Sequence, residues 1–245
     1  MKRKELFWTY LGRADYQPIL EAQRSLREAV IRGAAPGGLI LVEHPPTITI
    51  GRHGRKKNVL TTPADLARLG FAVHEIERGG DVTYHGPGQL VGYPVLPVTG
   101  GVRRFMESLG DAARRVLADL GIEASWQDDR PGLWTAATPT APGLPPRGQA
   151  KIAAVGLHIS HGVAIHGIAL NVDPDLSHYQ HIVPCGLATA AVTSVRALTG
   201  RAPPLADMAE RFAQAFTPPG SPTRPVGLAP AAFYAHQRQP PPAAL

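Results

Sequence analysis

The chain has 245 residues, 44% of them hydrophobic, with 26 glycines, 25 prolines and a single cysteine. That is enough apolar material for a sizeable core, no run approaches the ~20 apolar residues that cross a bilayer, and one cysteine excludes an internal disulfide and a cysteine-rich metal site. The formal charge of +6 favours acidic partners. Apart from Arg52-His-Gly-Arg-Lys-Lys57 the cations are scattered, with no aromatic–basic alternation, so nucleic acid and membrane are not expected as partners. The charged start is not followed by a signal-type apolar segment, and the expected compartment is the cytoplasm.

In chain order, Gln17 to Ile31 has apolar residues at Ile19, Leu20, Ala22, Leu26, Ala29 and Val30, a helical spacing stopped by Gly33 and Pro36. Leu39–Val42 and Thr47–Ile50 read as strands on either side of the Pro45-Pro46 break. Arg103 to Leu120 is a second amphipathic helix with Phe105, Met106, Leu109, Ala112, Val116, Leu117 and Leu120 on one side and Gly121 at its end. Residues 138–146 are proline-rich and read as a surface loop. Ile152–Ile159 and Val163–Val172 form a hairpin turning at Ser160-His-Gly162, and Asn171 to Ser177 reads as a turn and helix start. From Thr217 onward the proline- and alanine-rich composition predicts a poorly ordered tail, 217–245, after a single domain, 1–216. Strands with interposed helices and a hairpin predict an α/β fold with a mixed sheet flanked by helices.

Cys185 and Lys151 are the chemical candidates. A thiol in a chain that otherwise avoids cysteine is a candidate nucleophile, and Pro184 and Gly186 keep it out of a helix interior; the alternative is a small buried hydrophobe. Lys151 stands among small apolar residues, where it could ionise the thiol and shuttle its proton. The densest motif is Arg78-Gly-Gly-Asp-Val-Thr-Tyr-His-Gly-Pro-Gly-Gln89, whose glycines allow close backbone approach. It is neither a P-loop nor a dinucleotide fingerprint, and a tight glycine loop around a satisfied His85 is its plainer reading. His158, His161 and His166 lack a carboxylate at ligand spacing, so no metal is expected.

Glu43-His-Pro-Pro46 with Thr49-Ile-Gly-Arg52, the Arg78–Gln89 motif, Lys151-Ile-Ala-Ala-Val-Gly156, His166-Gly-Ile-Ala-Leu-Asn171 and Pro184-Cys-Gly186 occur in the order of the octanoyltransferases of lipoate synthesis. The chain resembles that family over about residues 5–200, with a longer proline-rich insert before Lys151. The resemblance implies a fold like that of the lipoate and biotin protein ligases, and transfer of an octanoyl group from octanoyl-acyl carrier protein to a lysine of a lipoyl domain. The acceptors would be lipoyl domains of 2-oxoacid dehydrogenases and the glycine cleavage H protein, and no cofactor would be required. It further implies Cys185 as acyl-thioester nucleophile and Lys151 as its activator. Arg78, Gly79, Gly80, Asp81, Val82, Thr83, Tyr84 and His85 would line one wall of the substrate cleft, Ala154, Val155 and Gly156 a second, and Gly167, Ile168 and Ala169 a third.

The chemistry is self-consistent. Exchange of one thioester for another is nearly balanced, so the intermediate stores what amide formation needs and ATP is not required. Burial of about six methylenes at ~0.8 kcal/mol each would contribute roughly 5 kcal/mol to acyl binding. Two other functions fit parts of the sequence: an ATP-dependent lipoate or biotin ligase, which has no use for Cys185, and a non-catalytic module that binds carrier proteins through its basic surface.

Overall fold

The computed structural model describes residues 4–136, 148–183, 191–220 and 223–238. The first half of the chain runs β1 (Lys4–Arg13), α1 (Tyr16–Ile31), β2 (Gly38–Glu43), β3 (Thr47–Ile50), α2 (Pro63–Arg68), β4 (Ala72–Glu75), β5 (Val82–His85), β6 (Gln89–Val95) and α3 (Val102–Ala118). The second runs β7 (Ser125–Trp126), β8 (Gly132–Thr135), β9 (Ala150–Ser160), β10 (Val163–Asn171), β11 (Ala191–Val192), α4 (Val195–Thr199), α5 (Leu205–Ala215), β12 (Thr223–Gly227) and α6 (Pro230–His236). Short 3-10 helices lie at Lys56–Asn58 and Leu176–His181. Among the described residues no helix is long and apolar enough to cross a membrane.

The large sheet has the order β12-β1-β2-β6-β10-β9-β8-β7, with β11 added beside β9, and a separate small sheet has the order β4-β3-β5. Its pairing is mixed, as the alternation of elements predicts: β1 runs parallel to β2 and β12, while β2–β6, β6–β10, β10–β9 and β9–β8 are antiparallel. Period-two alternation divides its side chains between two cores. Leu39, Leu41 and Leu90 pack with Phe105, Leu109 and Phe212 of α3 and α5. Ile40, Val42 and Val91 pack on the opposite face with Ile19 and Leu26 of α1 and with Phe233 of α6. The two long helices follow their apolar periodicity, and the glycines after them, Gly33 at φ 68 and Gly121 at φ 76, take the left-handed conformation that ends each.

The hairpin turns at His161 and Gly162, at φ 48 and 76. Along β9 a register shift opposes Leu133 to Ala153 but Trp134 to Lys151, so β9 advances two residues while β8 advances one. Such a bulge re-aims the side chains on either side of it. Ile152 and Ala153 consequently bury in the same core, and Lys151 turns out to line a cavity.

The chain beyond residue 216 departs from the expected poorly ordered tail. β12 extends the large sheet beside β1, and α6 buries Phe233 and Tyr234 to 0% and 1% exposure. The Gln237 amide closes the element onto the backbone of Gly37, donating to its carbonyl and accepting from its N–H, both at 3.0 Å. The prolines that made the composition look disordered stand where structure tolerates them. Pro225 is on an edge strand, and Pro230 is in the first turn of α6, where the missing N–H costs nothing. Residues 138–146, the expected surface loop, and 239–245 lie outside the described residues.

Candidate active site

Lys151 is a lysine 7% exposed. Its ammonium donates to the Pro131 carbonyl at 3.2 Å and lies 4.8 Å from the centroid of the Trp134 ring, over which the Arg130 guanidinium also sits at 4.2 Å. A buried aromatic face attracts such cations electrostatically. The Trp134 indole N–H donates to the Arg130 carbonyl at 3.1 Å, which fixes the ring. The Lys151 carbonyl accepts from Thr193 N–H at 3.0 Å, and Val192 of β11 is its parallel neighbour.

Lys151 opens on a cavity of about 470 Å³. Arg78, Gly79, Gly80, Asp81, Thr83 and His85 form one wall, Ala154, Val155 and Gly156 a second, and Gly167, Ile168 and Ala169 a third. Two expected wall residues do not line it. Val82 and Tyr84 alternate with Asp81, Thr83 and His85 along β5, so they point the other way, into the core of the small sheet, where the Tyr84 hydroxyl meets His178 Nδ1 at 2.7 Å. A contiguous motif therefore splits between wall and core.

The wall around Arg78 is shaped by backbone. Arg78 is buried and donates to the Thr49 carbonyl at 2.8 Å and to the Thr49 hydroxyl. Gly80 has φ 91. The loop after β3 ties to it through Arg52 N–H to the Arg78 carbonyl and His53 N–H to the Gly80 carbonyl. Asp81 accepts from Arg55 N–H and from the Asn58 amide. The basic run Arg52–Lys57 is thereby held at the rim of the cavity with its charged side chains exposed.

His85 is a neutral, fixed group. Burial pushes its pKa down to about 3, and its ring meets Gln89 Oε1 through Nδ1 at 2.7 Å. Because the Gln89 amide nitrogen is committed to the Tyr84 carbonyl and Asn171 Oδ1, its oxygen is the acceptor and His85 Nδ1 the donor. Behind it the fully buried His44, pushed to about 4 by burial, bridges the Ala14 carbonyl and the Tyr93 hydroxyl. Burial raises the pKa of Tyr16 and Tyr93, and both remain phenols.

Cys185, with Pro184 and Gly186, lies outside the described residues, 184–190 being omitted. On one side, Val183 N–H donates to the Asn58 carbonyl at 2.7 Å and Ile182 bridges Val59. On the other, Ala191 and Val192 pair with Ala150 and Lys151. Sequence reasoning missed Tyr16, Tyr93, Met106, Arg130 and Pro131, which line the cavity from α1, β6, α3 and the turn before β8. No motif joins them. His166 also lines it, and its place in the His166–Asn171 motif was the available signal. His161 is exposed at the hairpin turn, and His158 is half-buried.

Residues 15–217 match the family described as lipoyl protein ligase A/B catalytic domain. The chain is 42% identical over 207 residues to an octanoyltransferase of Chloroflexus aggregans, covering 83% of this chain and 89% of the relative. It is 45% identical over 209 residues to an octanoyltransferase of Solibacter usitatus, covering 84% and 89%. Among solved structures, the bipartite lipoate protein ligase of Thermoplasma acidophilum superposes with a TM-score of 0.65 at 17% identity, covering 96% of this chain and 91% of the other. Lipoate-protein ligase A bound with ATP superposes at 0.63 with 16% identity, covering 97% and 93%. At such identities the structural likeness speaks to the fold alone.

Proposed function

Because the chain belongs to the lipoyl protein ligase A/B catalytic-domain family and is an octanoyltransferase, an enzyme of octanoyl transfer in lipoylation, we propose that it works through a covalent Cys185 thioester. The donor is octanoyl-acyl carrier protein and the acceptor is the ε-amine of a lysine on a lipoyl domain. The observation that carries this reading is the buried Lys151 ammonium opening on the cavity, with the chain that leaves the Cys185 segment paired directly beside it. Val183, the described residue before that segment, is tied to the loop that rims the cavity by its N–H donating to the Asn58 carbonyl at 2.7 Å.

In the first half-reaction the Cys185 thiolate attacks the thioester carbonyl, and the tetrahedral intermediate collapses by expelling the carrier's thiolate, which takes a proton from Lys151. In the second, the acceptor amine attacks the Cys185 thioester. Lys151 removes the proton the nitrogen must lose, and Cys185 leaves as thiolate. The sum is octanoyl thioester plus amine giving amide plus free carrier thiol, with no ATP. Lys151 fits both roles because the neighbouring Trp134 face and Pro131 carbonyl hold the ammonium at a fixed position. Proton transfer of this kind contributes ~10²–10⁴-fold in rate. The cavity suits the acyl chain because cross-strand pairs of small residues, Ala154–Ala169 and Gly156–Gly167, leave the strand surface open.

The test is intact mass after exposure to octanoyl-carrier protein alone. A hydroxylamine-labile octanoyl adduct is expected, absent from Cys185→Ser, and it should pass to a lipoyl domain without ATP. No adduct, with acylation appearing only when free octanoate and ATP are supplied, overturns the reading in favour of a ligase.

A further inference from the structure

The cavity floor can be followed across the large sheet, strand by strand. Gly132 of β8 pairs with Ala154 of β9, Ala154 with Ala169 of β10, Ala169 with Val91 of β6, and Val91 with Val42 of β2. Residues directly opposite on paired strands share a face of the sheet, so these five stand in one row. Ala169, Val91 and Val42 belong to the core that packs under α1. The Lys151 ammonium donates to the carbonyl of Pro131, the residue before Gly132, which puts it at the β8 end of the row.

The row changes size along its length. Ala154 and Ala169 are small and line the cavity, Val91 lines it with a branched side chain, and Val42, the next partner, is fully buried and does not. Two residues along β6 and on the same face, Tyr93 repeats the pattern: it lines the cavity, and its partner Ile40 of β2 does not. Among the described residues β2 contributes nothing to the lining, so in this direction the cavity ends against β6. That end is held in place. His44 Nε2 meets the Tyr93 hydroxyl at 2.8 Å, and Val91 packs in the same core as Ile19 and Leu26 of α1. With strands ~4.8 Å apart, the two steps from Ala154 to Val91 measure about 10 Å. An extended octanoyl chain spans about 9 Å, given C–C bonds of ~1.5 Å.

We propose that the acyl slot runs across the strands from Lys151 and that Val91, backed by Tyr93, is the end wall that sets the accepted chain length. The inference rests on the reading that an octanoyl thioester binds beside Lys151. An eight-carbon chain passes over Ala154 and Ala169 and brings its terminal methyl to Val91. A longer chain has to displace a side chain held between Ala169 and Val42 in a close-packed layer, which yields little. A shorter one leaves part of the slot unfilled and forfeits the burial of each missing methylene.

The discriminating donors are hexanoyl, octanoyl and decanoyl thioesters of the same carrier protein, compared as ratios of kcat/KM within each variant so that a loss of rate common to all donors cancels. The wild-type enzyme is expected to favour octanoyl over decanoyl at least ~10-fold. Val91→Ala is expected to move that ratio several-fold toward decanoyl, and Val91→Ile to move preference several-fold toward hexanoyl. Ala169→Val builds the wall one strand closer to Lys151 and is likewise expected to favour hexanoyl. Val42→Ala removes the same two carbons one strand behind the wall and is expected to leave the ratios at their wild-type values. A wild-type octanoyl-to-decanoyl ratio near one, ratios unmoved in Ala169→Val or in every folded Val91 variant, or an equal shift in Val42→Ala overturns the wall. Failure of the wild-type enzyme to transfer octanoyl without ATP overturns the underlying reading instead.

Discussion

Lys151 meets a carbonyl and an aromatic face while being 7% exposed, so its role is open to a clean substitution. Lys151→Ala is expected to lower transfer by ~10²–10⁴-fold and to slow thioester formation in stopped-time mass measurements, with the circular dichroism of the fold retained; full activity would remove Lys151 from the mechanism. Trp134 acts through it. Trp134→Leu removes a buried cation–π contact worth about 2 kcal/mol, and the expected result is a fall in kcat larger than any change in KM. At this scale the motif was legible and its orientation was not. Arg78–His85 reads as one run, yet the pleat of β5 sends Val82 and Tyr84 into the small core and leaves Thr83 and His85 at the cavity.

Among the elements, α6 is the one composition concealed. Phe233 is fully buried between β1, β2 and α1 residues of one core, and Phe233→Ala is expected to cost about 3–5 kcal/mol; urea unfolding that shows no loss would mean the element contributes nothing. At the slot floor, a Cβ on Gly156 would meet the Gly79 carbonyl at 3.0 Å, whereas one on Gly167 would come within 2.0 Å of the Gly92 carbonyl. Gly156→Ala is therefore expected to fold and raise KM for the octanoyl donor, while Gly167→Ala forces β6 and β10 apart and destabilises the sheet itself, a difference that paired thermal unfolding and kinetics would resolve. The helices α1 and α3 were readable because a 3.6-residue apolar stripe is a local property. The bulge on β9 was not, because it arises from how β8 pairs with it.

At the scale of the whole molecule, burial of neutral imidazoles makes stability depend on pH. His44 and His85 titrate at about 4 and about 3 in the folded protein, below the ~6.5 of an unfolded chain. Between those values the unfolded state binds the protons first, so their contribution is complete above pH 6.5 and is lost as pH falls. With ~1.4 kcal/mol per pKa unit for each site, acidification from pH 6.5 to 5 is expected to remove about 3 kcal/mol; urea midpoints should fall accordingly, and less in a His44→Gln, His85→Gln double variant. The charge of +6 and the exposed Arg52–Lys57 loop at the cavity rim predict that kcat/KM with a carrier-bound donor declines as salt rises from about 0.05 to about 0.5 M. A small octanoyl-pantetheine donor should not respond, and an equal response of both donors would sever the link. What the sequence alone determined is what neighbours along the chain decide: helical and strand periodicity, the mixed α/β class, and the glycine-rich, lysine and cysteine motifs that carry the family likeness. What only the tertiary structure decided is which residues face one another. The flip of Lys151 toward the cavity, the meeting of Tyr16 with His44 and His85 beside it and the docking of α6 come from pairing and packing between segments tens to hundreds of residues apart, and no local pattern encodes such contacts.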